Sequence, residues 1–179
     1  MKYLLHTVET TRLRFREINR TDFNFWLPFF QDPKSSQHWV RKWKKPEKEC
    51  EEWYDKQFSR YEKNQGGMNA LIDKSTGNLI GHCGLLVQTV DNITELEIAY
   101  SLLTSHWNKG YATEAAVQCK IHAFENSFAG SLISIISLPN IPSAKVAAKN
   151  GMTVDKQTVY SDNAVNIYRI HAHVYFGSR

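Results

Sequence analysis

The segment from Trp107 to Ala115 has the residue types that can bind an anion where a helix begins. It lies between a strand-like apolar run and a helix-like run that starts at Tyr111. The first N–H groups of a helix are unpaired and lie at the positive end of its dipole. Because Gly110 and Ala112 add little bulk there, a phosphate or pyrophosphate can approach these groups. The alternative is that Gly110 only makes a tight turn.

Two better-known nucleotide motifs do not fit the chain. The glycine spacing around Gly110 differs from G-x-x-x-x-G-K-[ST], which argues against nucleotide hydrolysis. The stretch Gly81-His82-Cys83-Gly84 does not complete G-x-G-x-x-G, so dinucleotide binding has little support. The phosphate-bearing ligand therefore has to be identified from other parts of the sequence.

Composition indicates an ordinary globular protein. The chain has 179 residues, 42% hydrophobic and 22% charged, which is enough for one domain over residues 1–179. A net charge of +4 favours an anionic ligand without requiring nucleic acid. No apolar stretch reaches about 18 residues, so no membrane span is expected. The three cysteines are far apart and form no CxxC pair, so we expect no disulfide, no metal site and a reducing, cytoplasmic compartment.

Periodicity predicts the elements that position the segment. The predicted order is β-α-α-β-β-β-α-β-α-β-β, a mixed α/β sheet with helices on both faces. Strands are predicted at 11–18, 68–72, 79–87, 93–103, 132–138, 152–159 and 166–175, with the last turn at Asp162-Asn163. Helices are predicted from Thr21-Asp22, from Pro46, at 111–128 and at 143–149.

The sequence W-N-K-G-Y-A-T-E-A at 107–115 resembles the pyrophosphate loop of the GNAT acyltransferases, [RQ]-x-x-G-x-[GA]. Residues 9–16, 79–84, 97–102 and 140–152 resemble blocks of the ribosomal-protein (alanine/serine) N-acetyltransferase branch, in the family's order. The resemblance implies a twisted, mostly antiparallel mixed sheet of about seven strands with helices on both faces. Trp107 and Asn108 depart from the pattern. Since that loop acts mainly through backbone N–H groups, we expect phosphate binding to persist, and the Asn108 side chain adds a donor.

The resemblance also implies a reaction. An acyl group, expected to be acetyl from acetyl-CoA, would pass directly to a primary amine of a protein N-terminus or a small molecule. The amine must first lose a proton, because an ammonium with a pKa of ~10 for lysine or about 8 for an α-amino group is not nucleophilic. The oxyanion then needs fixed donors, and the departing thiolate needs a proton.

Glu97 is the best candidate for the base, acting directly or through a water. On the alternating strand it shares a face with Glu95 and Ala99, inside a sheet expected to be covered on both sides. A carboxylate there is costly unless it faces a wet cleft. The alternative is that Glu97 pairs with an arginine or lies under a loose loop. Glu95 is a weaker candidate.

Ser143 is the candidate acid toward the thiolate, with Asn140 holding CoA, although both residue types are also ordinary helix caps. Tyr160 and Tyr168 are weaker alternatives. The family frees backbone groups for CoA by splaying the strand that contains residues 98–102. The full set of residues expected to contact CoA is Tyr100, Ser101, Leu102, Trp107, Asn108, Lys109, Gly110, Tyr111, Ala112, Thr113, Asn140 and Ser143.

The acceptor amine is expected at the basic, aromatic segment 35–45, where the family builds its acceptor pocket. The segment contains Trp39, Arg41, Lys42, Trp43, Lys44 and Lys45. Trp39 and His82 are the candidates for substrate binding, although a strand histidine is more often simply packed. His171 and His173 would share a strand face, but no third metal ligand is apparent. A non-catalytic acyl-CoA-binding or RNA-associated module is the alternative function, and the chain is expected to be a monomer or homodimer.

Overall fold

The computed structural model of the chain describes residues 2–39 and 44–177. Seven strands and five helices make up the fold, in the predicted order except for one additional helix at the end. The strands are β1 (Leu13–Glu17), β2 (Gly66–Asp73), β3 (Leu79–Val90), β4 (Ile93–Leu102), β5 (Ser131–Ser137), β6 (Thr153–Tyr160) and β7 (Asn163–His171). The helices are α1 (Phe23–Gln31), α2 (Pro46–Glu62), α3 (Tyr111–Glu125), α4 (Ile141–Lys149) and α5 (Ala172–Gly177).

One seven-stranded sheet in the order β1-β2-β3-β4-β5-β7-β6 organises the molecule. Every neighbouring pair is antiparallel except β4 and β5, which run parallel. That parallel pair has a single register match, Glu97 with Ile133, so the two strands separate beyond this point. The predicted mixed, mostly antiparallel sheet is confirmed, and the single β4–β5 match agrees with the expected splay of the strand that contains residues 98–102.

Three buried clusters pack on the sheet, and the two largest lie on opposite faces. The larger cluster packs α3 and α4 against it through Ala115, Ala116, Phe124 and Ala147. The second packs α1 and α2 through the fully buried Trp26 and other aromatic side chains. Strand β2 is buried along its whole length. The prediction of helices on both faces is therefore confirmed.

The C-terminal strand prediction was wrong in its end point. Strand β7 stops at His171, and a short helix follows where 166–175 was predicted as one strand. His171 and His173 therefore do not share a strand face, although their rings stack at 5.4 Å. The hairpin turn lies at Ser161 and Asp162, both with positive φ, so Asn163 already belongs to the strand.

Other predicted ends differ by a few residues. Helix α3 ends at Glu125 instead of residue 128, and α4 starts at Ile141 because Asn140 caps it and Pro142 fits its first turn. Strand β2 already begins at Gly66 instead of residue 68. Within the described residues, no helix combines the length and apolarity that crossing a membrane requires.

Candidate functional site

A cavity of about 480 Å³ lies where the end of β4, the start of α3 and the start of α4 meet. Residues of the connection between α1 and α2 close its other side. Its described lining residues are Phe29, Ser35, Ser36, His38, Trp39, Tyr100, Ser101, Leu102, His106, Trp107, Asn108, Gly110, Tyr111, Ala112, Thr113, Asn140, Pro142, Ser143, Lys145, Val146 and Lys149. All of the predicted CoA-contacting residues except Lys109 line this cavity. The structure thus brings together groups that lie up to 43 residues apart, as Tyr100 and Ser143 do.

The start of α3 is open to an anion. Gly110 is its N-cap, with a φ of +82°, and Asn108 also has a positive φ of 59°. Because the cap residue has no side chain, no cap oxygen competes for the N–H groups of the first turn. Those groups face the cavity through Gly110, Tyr111, Ala112 and Thr113. This geometry is that of a phosphate site at a helix start.

Arg12 and Glu114 hold this helix start from behind. The Arg12 Nε donates to Glu114 Oε2 at 2.6 Å, and its Nη1 donates to the Lys109 carbonyl at 2.9 Å. The Arg12 guanidinium also lies 4.4 Å from the centre of the Tyr111 ring. Glu114 lies in the first turn of α3, where its charge would repel a phosphate. Its pairing with Arg12 neutralises that charge, so the predicted anion site keeps its positive character.

Trp107 ties the loop to the end of β4. Its indole Nε1 donates to the Leu102 carbonyl at 2.9 Å. The Tyr111 hydroxyl donates to Asp73 Oδ2 at 2.7 Å, which anchors the first turn of α3 to β2. Trp107 stands where the family pattern has arginine or glutamine. In this structure Trp107 positions the loop through a neutral hydrogen bond, so the positive charge of an arginine is not required for that role.

Trp107→Phe should weaken CoA binding about fivefold, because it removes one hydrogen bond, worth about 1 kcal/mol, and keeps a ring in place. Calorimetric titration with CoA measures this change. A dissociation constant equal to that of the unmodified protein would show that the indole–Leu102 bond does not position the loop.

Strand β4 offers free backbone groups beside the loop. After the Glu97–Ile133 match the backbones of β4 and β5 diverge, and Ser134 reaches across with its hydroxyl to the Ile98 carbonyl at 2.8 Å. The next residues, Tyr100 to Leu102, line the cavity. An extended ligand with amide groups can therefore pair with β4 where β5 no longer does.

The start of α4 forms the opposite wall. Asn140 Oδ1 accepts from the Ser143 N–H at 3.2 Å, so Asn140 is a helix cap, as its alternative interpretation proposed. The Tyr100 hydroxyl donates to the Ser143 carbonyl at 2.9 Å and bridges β4 to α4. Both Asn140 and Ser143 line the cavity, so capping and ligand contact are compatible.

Glu97 lies at the point where β4 and β5 separate. It is 8% exposed and does not belong to the described lining of the cavity. Burial raises the pKa of its carboxyl group, and hydrogen bonds from Gln88 and the Ile135 backbone oppose that rise. Arg60 and Lys56 stabilise its charge from further away. The raised pKa is the property that a general base working near neutral pH needs.

Gln88 fixes the orientation of the Glu97 carboxylate. Its Nε2 donates to Glu97 Oε2 at 2.7 Å. Its Oε1 accepts from Arg60 Nη2 at 2.9 Å and from the Tyr160 hydroxyl at 3.1 Å. Because Arg60 and Tyr160 both donate to the Gln88 amide oxygen, the Gln88 amide nitrogen is the atom that faces Glu97. Gln88 and Arg60 were not identified from the sequence, and Tyr160 has a different function from the proton donor considered above.

Glu95 is engaged elsewhere. Its carboxylate pairs with Arg169, with Oε1 2.7 Å from Nη2, and Arg169 also contacts Asp155 at 2.9 Å. This pair joins β4 to β7 across β5. Glu95 therefore has a structural partner, whereas the arginine nearest Glu97, Arg60, bonds to Gln88 instead of the carboxylate.

Comparison with known proteins agrees with this geometry. The profile of the "Acetyltransferase (GNAT) domain" matches residues 12–153. The chain belongs to the GNAT acetyltransferase family. The uncharacterized protein YkkB of Bacillus subtilis (strain 168) is 33% identical over 125 residues, 69% of this chain and 72% of that protein.

Solved GNAT structures share the fold over nearly the whole chain. An acetyltransferase from Agrobacterium tumefaciens str. C58 superposes with a TM-score of 0.78 and 27% identity, covering 96% of this chain and 97% of that one. A putative ribosomal-protein-serine acetyltransferase from Vibrio cholerae gives a TM-score of 0.76 at 16% identity, covering 93% and 98%. The fold is therefore also that of the ribosomal-protein branch.

His82 lies behind the GNAT cavity and not on its surface. It is fully buried on β3, with its ring 4.3 Å from Trp26 and 4.7 Å from Trp53. Neither ring nitrogen has a hydrogen-bond partner among the described residues. Burial lowers the pKa of His82 to about 3, so the imidazole is neutral at pH 7. The structure thus supports the packed interpretation of this histidine.

Burial of His82 should make the protein less stable in mild acid. At a pH above 6.5, the ordinary pKa of histidine, His82 is neutral in both the folded and the unfolded protein. Between pH 6.5 and about pH 3 only the unfolded chain binds the proton. The free energy of unfolding should therefore fall by roughly 3 kcal/mol between about pH 6.5 and pH 4 because of this residue. Urea titrations across that range measure this fall in the free energy of unfolding. The fall should be smaller in His82→Leu than in the unmodified protein. It should be unchanged in His6→Gln, which alters an exposed histidine. If the free energy of unfolding depended on pH equally in His82→Leu and in the unmodified protein, the acid sensitivity would not come from the buried His82.

The acceptor segment is described in part. Trp39 lines the cavity, while Arg41, Lys42 and Trp43 lie outside the described residues. Lys44 forms an exposed ion pair with Glu52 at 2.6 Å. In the described ranges, no three histidine, cysteine or acidic side chains are grouped as a metal ion would need.

Proposed function

We propose that this GNAT protein transfers an acetyl group from acetyl-CoA to a primary amine while both substrates are bound. The observation that supports this most is the cavity itself. It joins an uncapped helix start, suited to pyrophosphate, to a strand edge whose backbone is free to pair with the amides of pantetheine. Coenzyme A has these two chemical parts in that order.

The geometry supports an assignment of the donor half of the site. The N–H groups of Gly110 to Thr113 and the side chain of Asn108 bind the pyrophosphate. Lys145 and Lys149 on α4 add positive charge to the wall of the same cavity. The pantetheine arm extends along Tyr100 to Leu102, which brings the thioester toward the place where β4 leaves β5.

Glu97 accepts the proton that the acceptor ammonium must lose. Since its side chain does not line the cavity, the proton passes through a water between the amine and the carboxylate. The neutral amine attacks the thioester carbon, and β4 N–H groups stabilise the oxyanion. As the C–N bond forms and the C–S bond breaks, the new amide nitrogen releases its second proton to water and the CoA thiolate takes a proton from the Ser143 hydroxyl. Ser143 is then reprotonated from solvent, and Glu97 returns its proton to solvent.

A thiol-release assay tests the proposal. Purified protein with acetyl-CoA and a panel of primary amines and peptides should release free CoA thiol only when an amine is present. CoA binding without amine-dependent release would favour the alternative, a non-catalytic module. Steeply salt-dependent RNA binding with no turnover would identify an RNA-associated one.

A further inference from the structure

The acceptor end of the cavity has two aromatic walls held from behind. Phe29 stacks on the fully buried Trp26, with ring centres 4.4 Å apart and planes 15° apart. Trp39 packs on the third buried cluster, which includes Ile133 and Ile135 of β5. Both side chains also line the cavity. Because packing fixes these rings, they need little ordering when a ligand enters the space that they line, which we call the aromatic slot.

The charges around this slot argue against a polycationic acceptor. Among the described lining residues of the cavity none is an aspartate or glutamate, and the basic side chains are His38, His106, Lys145 and Lys149. A second ammonium group would find no carboxylate to pair with among these lining residues. Glu97 does not supply one at the slot, because its side chain does not line the cavity.

We infer that the acceptor is a monoamine carrying an aromatic ring, with the ring between Phe29 and Trp39 and the amine directed toward β4. The inference rests on the proposed acetyltransferase function and specifies its acceptor. Ring contacts with two aromatic walls stabilise such a ligand, and its single ammonium becomes neutral on losing the proton that the reaction requires. The hydroxyls of Ser35 and Ser36 and the ring of His38 supply polar contacts at the edge of the slot.

The first experiment compares three acceptors at saturating acetyl-CoA. We expect kcat/KM for 2-phenylethylamine to exceed those for propylamine and spermidine by at least about tenfold. Phe29→Ala and Trp39→Ala should each raise KM for 2-phenylethylamine about tenfold and leave CoA affinity unchanged. Phe25→Ala is the matched control, because Phe25 lies on the same helix, is 64% exposed and does not line the cavity. Spermidine as the best acceptor, or an unchanged ring preference in both alanine variants, would overturn the inference.

A binding measurement separates this inference from the function on which it rests. 2-Phenylethylamine is titrated by calorimetry into the CoA-saturated protein, where no acetyl group can move. Binding that Phe29→Ala and Trp39→Ala weaken, together with no turnover of any amine, would sink the acetyltransferase proposal while supporting the aromatic slot. Turnover of amines without ring-dependent binding would support the acetyltransferase proposal and overturn the aromatic slot.

Discussion

Gly110→Asp is expected to weaken CoA binding at least about 100-fold. The new carboxylate would lie at the start of α3, where the pyrophosphate is expected and where Gly110 leaves the N–H groups open. Two like charges about 4 Å apart repel by about 4 kcal/mol at the effective dielectric near a protein surface, which exceeds the 100-fold loss. Calorimetric titration with CoA measures it directly, and steady-state kinetics should show the same loss in KM for acetyl-CoA.

Two other variants separate charge from backbone strain. Gly77→Asp introduces the same side chain at another glycine of positive φ, +73°, in a hairpin turn with open space around it, and should bind CoA normally. Gly110→Ala introduces the same backbone strain as Gly110→Asp, because any L side chain is strained at a φ of +82°. Its methyl group lies 3.4 Å from Arg12 Nη2 and adds no charge. It should bind far better than Gly110→Asp. Equal losses for both substitutions at Gly110 would show that loop geometry, and not the anion, controls affinity.

Glu97→Gln is expected to lower kcat about 100-fold or more while leaving CoA affinity intact, because general-base catalysis contributes that much. The substituted amide is nearly the same size and its oxygen can still accept from Gln88 Nε2, so the fold should persist. Glu95→Gln separates the two strand carboxylates. If it caused the larger loss of kcat, Glu95 and not Glu97 would be the base.

The pH profile supplies a second test of Glu97. The base works only when deprotonated, and burial raises its pKa above the ordinary 4.5. In the unmodified protein kcat/KM should therefore rise with pH through that raised pKa, and this rise should be missing in Glu97→Gln. A variant that keeps both the rate and the rising part of the profile would remove Glu97 from the mechanism.

Local features of the donor site could be predicted from the sequence. The phosphate loop depends on the spacing of Gly110 and Ala112 next to a helix start, and neighbouring residues determine both. The register of β4 follows from its alternation, which placed Glu97 beside Glu95 on one face. The splay was predicted only through the family resemblance, since no pattern within β4 encodes where β5 leaves it.

Long-range contacts could not be predicted in the same way. Gln88 contacts Arg60 of α2 across 28 residues, and that contact depends on how α2 packs on the sheet. The alternation of β3 could have placed Gln88 near the face of Glu97, but it could not supply its partners. The environment of His82 likewise comes from Trp26 and Trp53 on two separate helices. The end of β7 was missed because the apolar pattern continues from the strand into α5.

Direct detection of the acetylated amine is the most decisive measurement. Acetyl-CoA, 2-phenylethylamine and the unmodified protein are incubated together, and the amine is analysed by mass spectrometry beside an identical reaction with Gly110→Asp. The account predicts N-acetylated amine with the unmodified protein, formed in step with free CoA, and very little with the variant. Free CoA released without any acetylated amine, from this acceptor or from a broad panel of amines and peptides, would contradict it.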